Sequence, residues 1–236
     1  EFLFRADAYA KDCTATVTRL TERDGARGVI LDRTVFYATG GGQPGDTGTM
    51  THGGHESPIV TTVYGETKQD IVHVLAPDAP VPAVGETVSV ALDWAPRYKR
   101  MRMHTGLHLL SVVLSFPVTG GSIGTDESRL DFDIPDAGLD KDEITAKLND
   151  LIVKDAAVTD RYITDAELEA NPGLVKTMSV KPPMGSGTVR LVSIEGLDLQ
   201  PCGGTHVRRT GEVGRLVVSA IEKKGKQNRR VRVIFG

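Results

Sequence analysis

Up to about residue 93, the chain carries hydrophobic and polar side chains in short alternating runs. Residues 88–92 have the period of a half-buried strand. Further strands are predicted over 59–64 and 71–75, because turns rich in glycine and proline separate these runs. Several short strands with turns between them predict a small β-barrel or sandwich in this part of the chain.

After residue 93 the hydrophobic period becomes helical and then mixed. Asp140 and Glu143 have the spacing of a capping box, and the run from Thr164 to Glu167 opens a short helix that Asn171-Pro172-Gly173 stops. Helices are predicted from about residue 96 to Phe116, after Asp140 and after Thr164, and strands over 190–194, 213–222 and 229–235. The strands over 213–222 and 229–235 are predicted to form an antiparallel hairpin. Because helices and an antiparallel sheet occur together, the second half is predicted to be α+β.

The composition is that of an ordinary folded protein, with 236 residues of which 39% are hydrophobic and 25% charged. No run of eighteen apolar residues occurs, so no membrane span is predicted. Because the chain has two cysteines and opens without a long apolar core, we expect a cytoplasmic protein without a disulfide framework. These features are compatible with a monomer or a homodimer.

Half of the histidines and cysteines fall in two short motifs. His104 and His108 are spaced i, i+4, which places both imidazoles on one side of a helix. Cys202 and His206 flank a Gly-Gly pair much later in the chain. One thiolate and three imidazoles form a ligand set that suits zinc. Because imidazoles on a largely apolar helix are costly without partners, these four residues are predicted to bind one metal ion.

The neighbours of these residues disfavour two classes of zinc hydrolase. Zincin proteases need a glutamate directly after the first histidine, where this chain has Thr105. Zinc nucleobase deaminases need His-x-Glu and Pro-Cys-x-x-Cys, but Gly106 and Thr205 stand at the corresponding positions. Four protein ligands are also typical of structural zinc sites, so that alternative stays open.

Residues 39–48 hold five glycines, which permit close approach of the backbone to another surface. No Gly-Lys-Ser/Thr sequence follows, so this is not a phosphate loop. Gln43 is predicted to contact RNA or to line a site, and a tight irregular turn is the alternative. Although the net charge is −3, basic residues cluster between Arg208 and Arg232. This cluster is either a solvated face or an edge that contacts phosphates.

Other polar residues have plainer interpretations. Asp131 and Asp133 alternate along an apparent strand, and the polar face of that strand is favoured over a paired acid/base site. His52, His55 and His73 lack the spacing of metal ligands and are predicted to be surface residues.

Motifs from both halves of the chain together resemble one family. They are Thr34–Tyr37 with Gly40–Gly48, the run from Asp93 through His104 to Leu110, Gly121–Ser122 with Arg129–Phe132, Gln200–Val207, and Lys224–Gly225 with Asn228–Val231. On these segments the chain is similar to the editing domain of alanyl-tRNA synthetase and resembles its freestanding form, the AlaX family, in the medium-length type.

The resemblance implies a fold and an activity. It implies an α+β fold, with a small N-terminal β-barrel-like domain at 1–95 and a zinc-containing editing domain with an antiparallel sheet at 96–236. It implies a hydrolase that deacylates tRNA(Ala) mischarged with serine, and often with glycine, while sparing Ala-tRNA(Ala). The implied ligands of one zinc ion are His104, His108, Cys202 and His206.

Substrate selection then requires recognition of one hydroxyl group, which a hydrogen-bonding side chain achieves. Thr119 is the catalytic-site candidate by alignment with the family, and Thr105 and Thr125 are its rivals. We expect the zinc to position the substrate rather than to hold a standing hydroxide. The residues expected to contact tRNA are Gly41, Gly42, Gln43, Arg208, Arg209, Lys223, Lys224, Arg229 and Arg230.

Two alternatives remain at this stage. The editing domain of threonyl-tRNA synthetase shares the plan of two histidine-containing motifs, so another mischarged tRNA such as Ser-tRNA(Thr) is the rival substrate. The rival from a different class is a non-catalytic tRNA-binding module with structural zinc.

Overall fold

A computed structural model describes residues 1–23, 25–135, 138–175 and 187–236. Contacts divide the chain into two compact units, Glu1–Tyr98 and Lys99–Gly236. The domain ranges 1–95 and 96–236 stay a prediction. Within the described ranges, none of the helices combines the length and the apolar character that crossing a membrane requires.

The first unit contains a closed antiparallel barrel of six strands, preceded by a short helix, α1 (Leu3–Ala6). The strands are β1 (Asp12–Arg23), β2 (Ala26–Leu31), β3 (Gly48–His52), β4 (His55–Tyr64), β5 (Ile71–Leu75) and β6 (Thr87–Leu92). They pair in the order β1-β2-β5-β4-β3-β6. The alternation over residues 88–92 is confirmed, since Val88, Val90 and Leu92 are buried and the residues between them are exposed.

A buried ion pair lies in this unit. The side chains of Arg97 and Asp46 are 0% and 1% exposed and contact each other directly. The guanidinium group of Arg97 also donates to the carbonyl oxygen of Val35, at 3.3 Å, and Asp46 Oδ2 accepts from the backbone N–H of Tyr37, at 2.7 Å. This network ties Arg97, near the start of the following helix, to the glycine-rich segment 39–48 and to the residues just before it.

The surface prediction for His73 is wrong, because strand β5 is buried on both faces and His73 is 0% exposed. His73 Nδ1 lies 3.0 Å from the carbonyl oxygen of Val29, and Nε2 lies 2.8 Å from Thr34 Oγ1. Since a carbonyl only accepts, Nδ1 carries the proton and the Thr34 hydroxyl donates to Nε2. His52 is also buried, at 7% exposed, whereas His55 is exposed as predicted.

This histidine makes the stability of the first unit depend on pH. Burial lowers the pKa of His73 from its usual 6.5 to about 4. The unfolded chain therefore binds more protons between these values, and stability is lost as pH falls from 6.5 towards 4. We expect the wild type to lose about 2 to 3 kcal/mol more than a His73→Gln variant between pH 7 and pH 4.5.

Urea unfolding followed by the fluorescence of Trp94 measures this loss, because Trp94 is the only tryptophan and lies in the same unit. The glutamine variant is the matched control, since its amide can donate and accept in place of the imidazole without titrating. An equal loss of stability in both proteins would contradict the assignment of the pH dependence to His73.

In its described residues, the second unit combines two antiparallel sheets with helices, in agreement with the α+β prediction. The elements described there are α2 (Trp94–Val113), β7 (Val118–Ser122), β8 (Glu127–Asp133), α3 (Lys141–Ile152), β9 (Val158–Thr164), α4 (Asp165–Ala170), β10 (Thr188–Ile194), β11 (Asp198–Pro201), β12 (Leu216–Lys223) and β13 (Asn228–Phe235). The sheet orders are β12-β13-β8-β7 and β11-β10-β9. Helix α2, which carries the first histidine motif, contains the boundary between the units.

Helix starts follow the sequence signals closely. Asp140 caps α3 by accepting from two backbone N–H groups, but Glu143 pairs with Lys147, so the full capping box predicted there is wrong. Thr164 and Glu167 do form a capping box at α4. Helix α2 ends at Val113 rather than near Phe116. Strand β12 begins at Leu216 rather than at Val213, because Val213 ends a short 3₁₀ turn, Thr210–Val213.

Candidate metal centre

Helix α2 presents two imidazoles one turn apart. His104 and His108 are 8% and 6% exposed. Between them lies Gly106, where an added Cβ would come within 2.4 Å of Leu216 Cδ1. The glycine therefore lets α2 pack directly against β12. This close packing sets the distance of both histidines from the sheet.

Strand β11 leads into the turn that carries the other two predicted ligands, Cys202 and His206. Cys202 Sγ lies 3.4 Å from His104 Nε2 and 3.3 Å from His206 Nε2. The ligand atoms of these residues and of His108 all lie within 4.8 Å of one another. Tetrahedral zinc, with bonds of about 2.3 Å to sulfur and 2.0 to 2.1 Å to nitrogen, places its ligand atoms roughly 3.5 Å apart. The four side chains therefore fit a zinc ion.

A second set of side chains orients two of the imidazoles. Asp198 Oδ2 lies 3.1 Å from His108 Nδ1 and accepts from Gln200 Nε2 at 2.7 Å. Thr105 Oγ1 lies 3.1 Å from His206 Nδ1. These bonds engage the Nδ1 atoms and leave Nε2 as the nitrogen available to a metal. Thr105 is 0% exposed, so the structure places this predicted catalytic residue behind His206.

The electrostatics of the cluster favour the metal-binding form of the cysteine. Burial alone would raise the pKa of the Cys202 thiol, but His104 and His206 hold the pKa well below its usual value. Burial lowers the pKa of His206 to about 3. Burial would also lower the pKa of His108, but Asp198 and Cys202 raise it to about 9. Metal binding to this cluster is therefore expected to displace a proton from the His108 imidazole.

No role for Asp198 or Gln200 is predicted from the sequence, although Gln200 opens one of the family motifs. They are two residues apart on β11, so both side chains lie on one face of the strand. The strand ends directly before Cys202. Both are buried, at 8% exposed each, because Asp198 pairs with the His108 imidazole and Gln200 donates to Asp198. Two polar residues at strand spacing beside a metal-ligand motif are the signal that could have indicated them.

The four-stranded sheet holds Thr119 and the two aspartates. Thr119 is half-buried, and its hydroxyl accepts from Asn228 Nδ2 at 3.1 Å. Asp131 binds the guanidinium groups of Arg129 and Arg230. Burial alone would raise the pKa of Asp131, but these two guanidinium groups lower it. The pairing of Asp131 with two arginines agrees with its interpretation as part of the strand's polar face.

The residues predicted to contact tRNA are spread over several elements. Gly41 and Gly42 are exposed and adopt positive φ values, 57° and 81°, in the turn that joins Gly40 to Gln43. Gln43 itself is 1% exposed, so the turn presents glycine backbone to solvent. The contact of these residues with tRNA stays a prediction.

The predicted basic contacts all lie in the second unit, and several are engaged within the protein. Arg209, Arg230 and Lys224 pair with Asp155, Asp131 and Glu222. The remaining three are Arg208 and Lys223, both exposed, and Arg229, which is half-buried and donates to two backbone carbonyl groups.

Family models match two parts of the chain. Residues 189–232 match the second additional domain of threonyl and alanyl tRNA synthetases, which includes the Cys202 turn. Residues 9–96 match the model of class II (A) tRNA synthetases. The two matched segments thus lie on either side of the first histidine motif.

Curated relatives cover almost the whole chain. It is 33% identical to an alanyl-tRNA editing protein AlaX-M of Methanosarcina mazei, over 98% of this chain and 94% of the relative. It is 31% identical to AlaX-L of Pyrococcus horikoshii, over 100% of this chain and 58% of the relative. It is 36% identical to an alanine–tRNA ligase of Pyrobaculum calidifontis, over 94% of this chain and 25% of the ligase.

Proposed function

The chain belongs to the family of alanyl-tRNA editing proteins, deacylating hydrolases that act on mischarged tRNA, and from this premise we propose its substrates. It hydrolyses the aminoacyl ester of Ser-tRNA(Ala), and also of Gly-tRNA(Ala), and it spares Ala-tRNA(Ala). The observation that carries this proposal is the convergence of His104, His108, Cys202 and His206 on one point.

The metal is proposed to be a single zinc ion. A thiolate with three imidazoles suits zinc, and the separations of 3.3 and 3.4 Å from sulfur to nitrogen agree with tetrahedral geometry. Zinc bound by all four side chains would have a closed coordination shell, so we assign it the positioning of the substrate rather than a standing hydroxide. Asp198 and Thr105 hold the imidazoles of His108 and His206 in the orientation that this requires.

Discrimination of serine from alanine is assigned to Thr119. A site that forms a hydrogen bond with the substrate hydroxyl disfavours an analogue without it, because buried polar groups are then left unpaired. Asn228 fixes the hydroxyl of Thr119 by donating to it. By contrast, Thr105 is buried against His206, and Thr125 donates to the neighbouring Asp126.

Replacing Thr119 by valine keeps the side-chain shape and removes the hydroxyl. We expect the ratio of deacylation rates for Ser-tRNA(Ala) and Ala-tRNA(Ala) to fall about tenfold, the equivalent of one hydrogen bond. Single-turnover deacylation of both esters measures this ratio, and Thr125→Val is the matched control with unchanged selectivity. A Thr119→Val protein with the wild-type ratio would show that another residue selects the hydroxyl.

Contact with tRNA(Ala) is assigned to the exposed glycine turn and to the basic residues of the second unit. The backbone of Gly41 and Gly42 has no side chain to hinder close approach to a nucleotide. Lys223 and Arg208 are exposed cations that suit phosphate oxygens. Substitution of Lys223 or Arg208 by alanine should weaken binding to tRNAs of any nucleotide sequence, and should reduce the salt dependence of that binding.

Direct comparison of four substrates tests the proposed specificity. Ser-tRNA(Ala) and Gly-tRNA(Ala) should be deacylated, whereas Ala-tRNA(Ala) and Ser-tRNA(Thr) should persist at the rate of spontaneous hydrolysis. Cleavage of Ser-tRNA(Thr) alone would move the assignment to threonyl editing. Tight tRNA binding without cleavage of any ester would instead favour a non-catalytic binding module.

A further inference from the structure

One arginine, Arg190, forms three hydrogen bonds with the Cys202–Gly204 turn, at the start of the second predicted ligand motif. The backbone carbonyl oxygen of Arg190, on strand β10, accepts from the backbone N–H of Cys202 at 3.1 Å. Its Nη1 atom donates to the carbonyl oxygens of Cys202 and Gly204, at 3.0 Å each. Arg190 is therefore bonded to both ends of the Cys202–Gly204 turn, although it is not a metal ligand.

The guanidinium group is itself held in place. Its Nε atom lies 3.1 Å from Asp160 Oδ2 on the neighbouring strand β9, and only 12% of the Arg190 side chain is exposed. A charge this buried needs a paired counter-ion and filled hydrogen-bonding positions. Asp160 supplies the counter-ion, and the two carbonyl groups of the turn accept from the guanidinium.

The turn depends on such support because of its sequence. Gly203 and Gly204 follow Cys202, and glycine has more backbone freedom to lose on ordering than any other residue. The turn also has to bring Cys202 Sγ within 3.4 Å of His104 Nε2. The Gly204 N–H approaches the same sulfur, at 3.5 Å, so the shape of the turn and the position of the sulfur are linked.

We propose that Arg190, held in place by Asp160, is a positioning residue that stabilises the metal-binding conformation of the Cys202–Gly204 turn. The inference rests on the metal site of the proposed function. Lysine does not replace arginine here, because a single ammonium group lacks the planar fork that joins two carbonyl oxygens and a carboxylate. Outer residues that orient metal ligands typically change metal affinity about 10- to 100-fold when they are replaced.

The test measures metal affinity in the full chain by chelator competition with Zn²⁺, and records the absorption spectrum of the Co²⁺-loaded protein. We expect Arg190→Ala to bind Zn²⁺ about 10- to 100-fold more weakly. The Co²⁺ bands that report thiolate coordination should also change in position or intensity. Arg161→Ala, which removes an exposed arginine next to Asp160 on the same strand, is the matched control and should behave as the wild type.

A role for Arg190 in folding alone would lower thermal stability without changing the Zn²⁺ affinity or the Co²⁺ spectrum, and that result overturns the inference. If Arg190→Ala does not fold, the same measurements are made on Arg190→Lys. Wild-type Zn²⁺ affinity in the lysine variant would overturn the inference in the same way. A wild-type protein that binds no Zn²⁺ contradicts the metal site itself. This last outcome distinguishes failure of the proposed function from failure of the positioning role.

Discussion

Replacing Cys202 by serine is expected to abolish deacylation of Ser-tRNA(Ala). A serine hydroxyl does not ionise near neutral pH, so the site loses its only thiolate and its charge match to a divalent metal. Replacement of outer residues alone reduces metal affinity or activity about 10- to 100-fold, so loss of a ligand should leave less than roughly one hundredth of the wild-type rate. Single-turnover deacylation, with zinc content measured on the same sample, records both effects.

The chain offers a matched control for this substitution. Cys13 is the only other cysteine, and it lies half-buried on strand β1 of the barrel. Cys13→Ser should keep both the zinc content and the deacylation rate. A Cys202→Ser protein with full activity would contradict the assignment of Cys202 as a ligand.

The second large effect concerns stability. Arg97→Met is expected to destabilise the first unit by about 3 to 5 kcal/mol, because it leaves the carboxylate of Asp46 buried without its partner. Methionine has a similar length, so the loss reflects the unpaired charge and the donors removed from the carbonyl of Val35 more than lost volume. Urea unfolding followed by Trp94 fluorescence measures the change.

An exposed ion pair of the same unit serves as the control. Arg19 pairs with Asp70, but the arginine side chain is 51% exposed. Arg19→Met should cost no more than about 1 kcal/mol, since water solvates the remaining carboxylate. Equal stability of the two variants would show that burial does not determine the contribution of the Arg97–Asp46 pair.

Local patterns predicted the elements of the fold well wherever one face of a strand or helix is buried. Residues 88–92 alternate strictly and form β6, and Thr164 with Glu167 forms the capping box that opens α4. Strand β5 gave no such alternation, because both of its faces are buried. The prediction of His73 as a surface residue rests on its lack of metal-ligand spacing, which does not reveal that Thr34 and Val29 surround it.

The four residues of the candidate metal centre could be predicted from the sequence because their chemistry is local to two motifs. The residues that support them could not, because their roles arise from pairing between distant segments. Arg190 meets Cys202 only through the antiparallel register of β10 and β11, in which Leu191 lies opposite Pro201. Similarly, Gln43 gave no sign in the sequence that it would be buried while Gly41 stays exposed.

Metal-dependent deacylation is the central claim, and one experiment tests it most directly. Ser-tRNA(Ala) and Ala-tRNA(Ala) are incubated side by side with the protein, with and without a strong chelator, while circular dichroism follows the fold. The account predicts rapid loss of serine only, stopped by the chelator with the fold retained and restored by added Zn²⁺. Unchanged deacylation by a protein shown to be free of metal would contradict it.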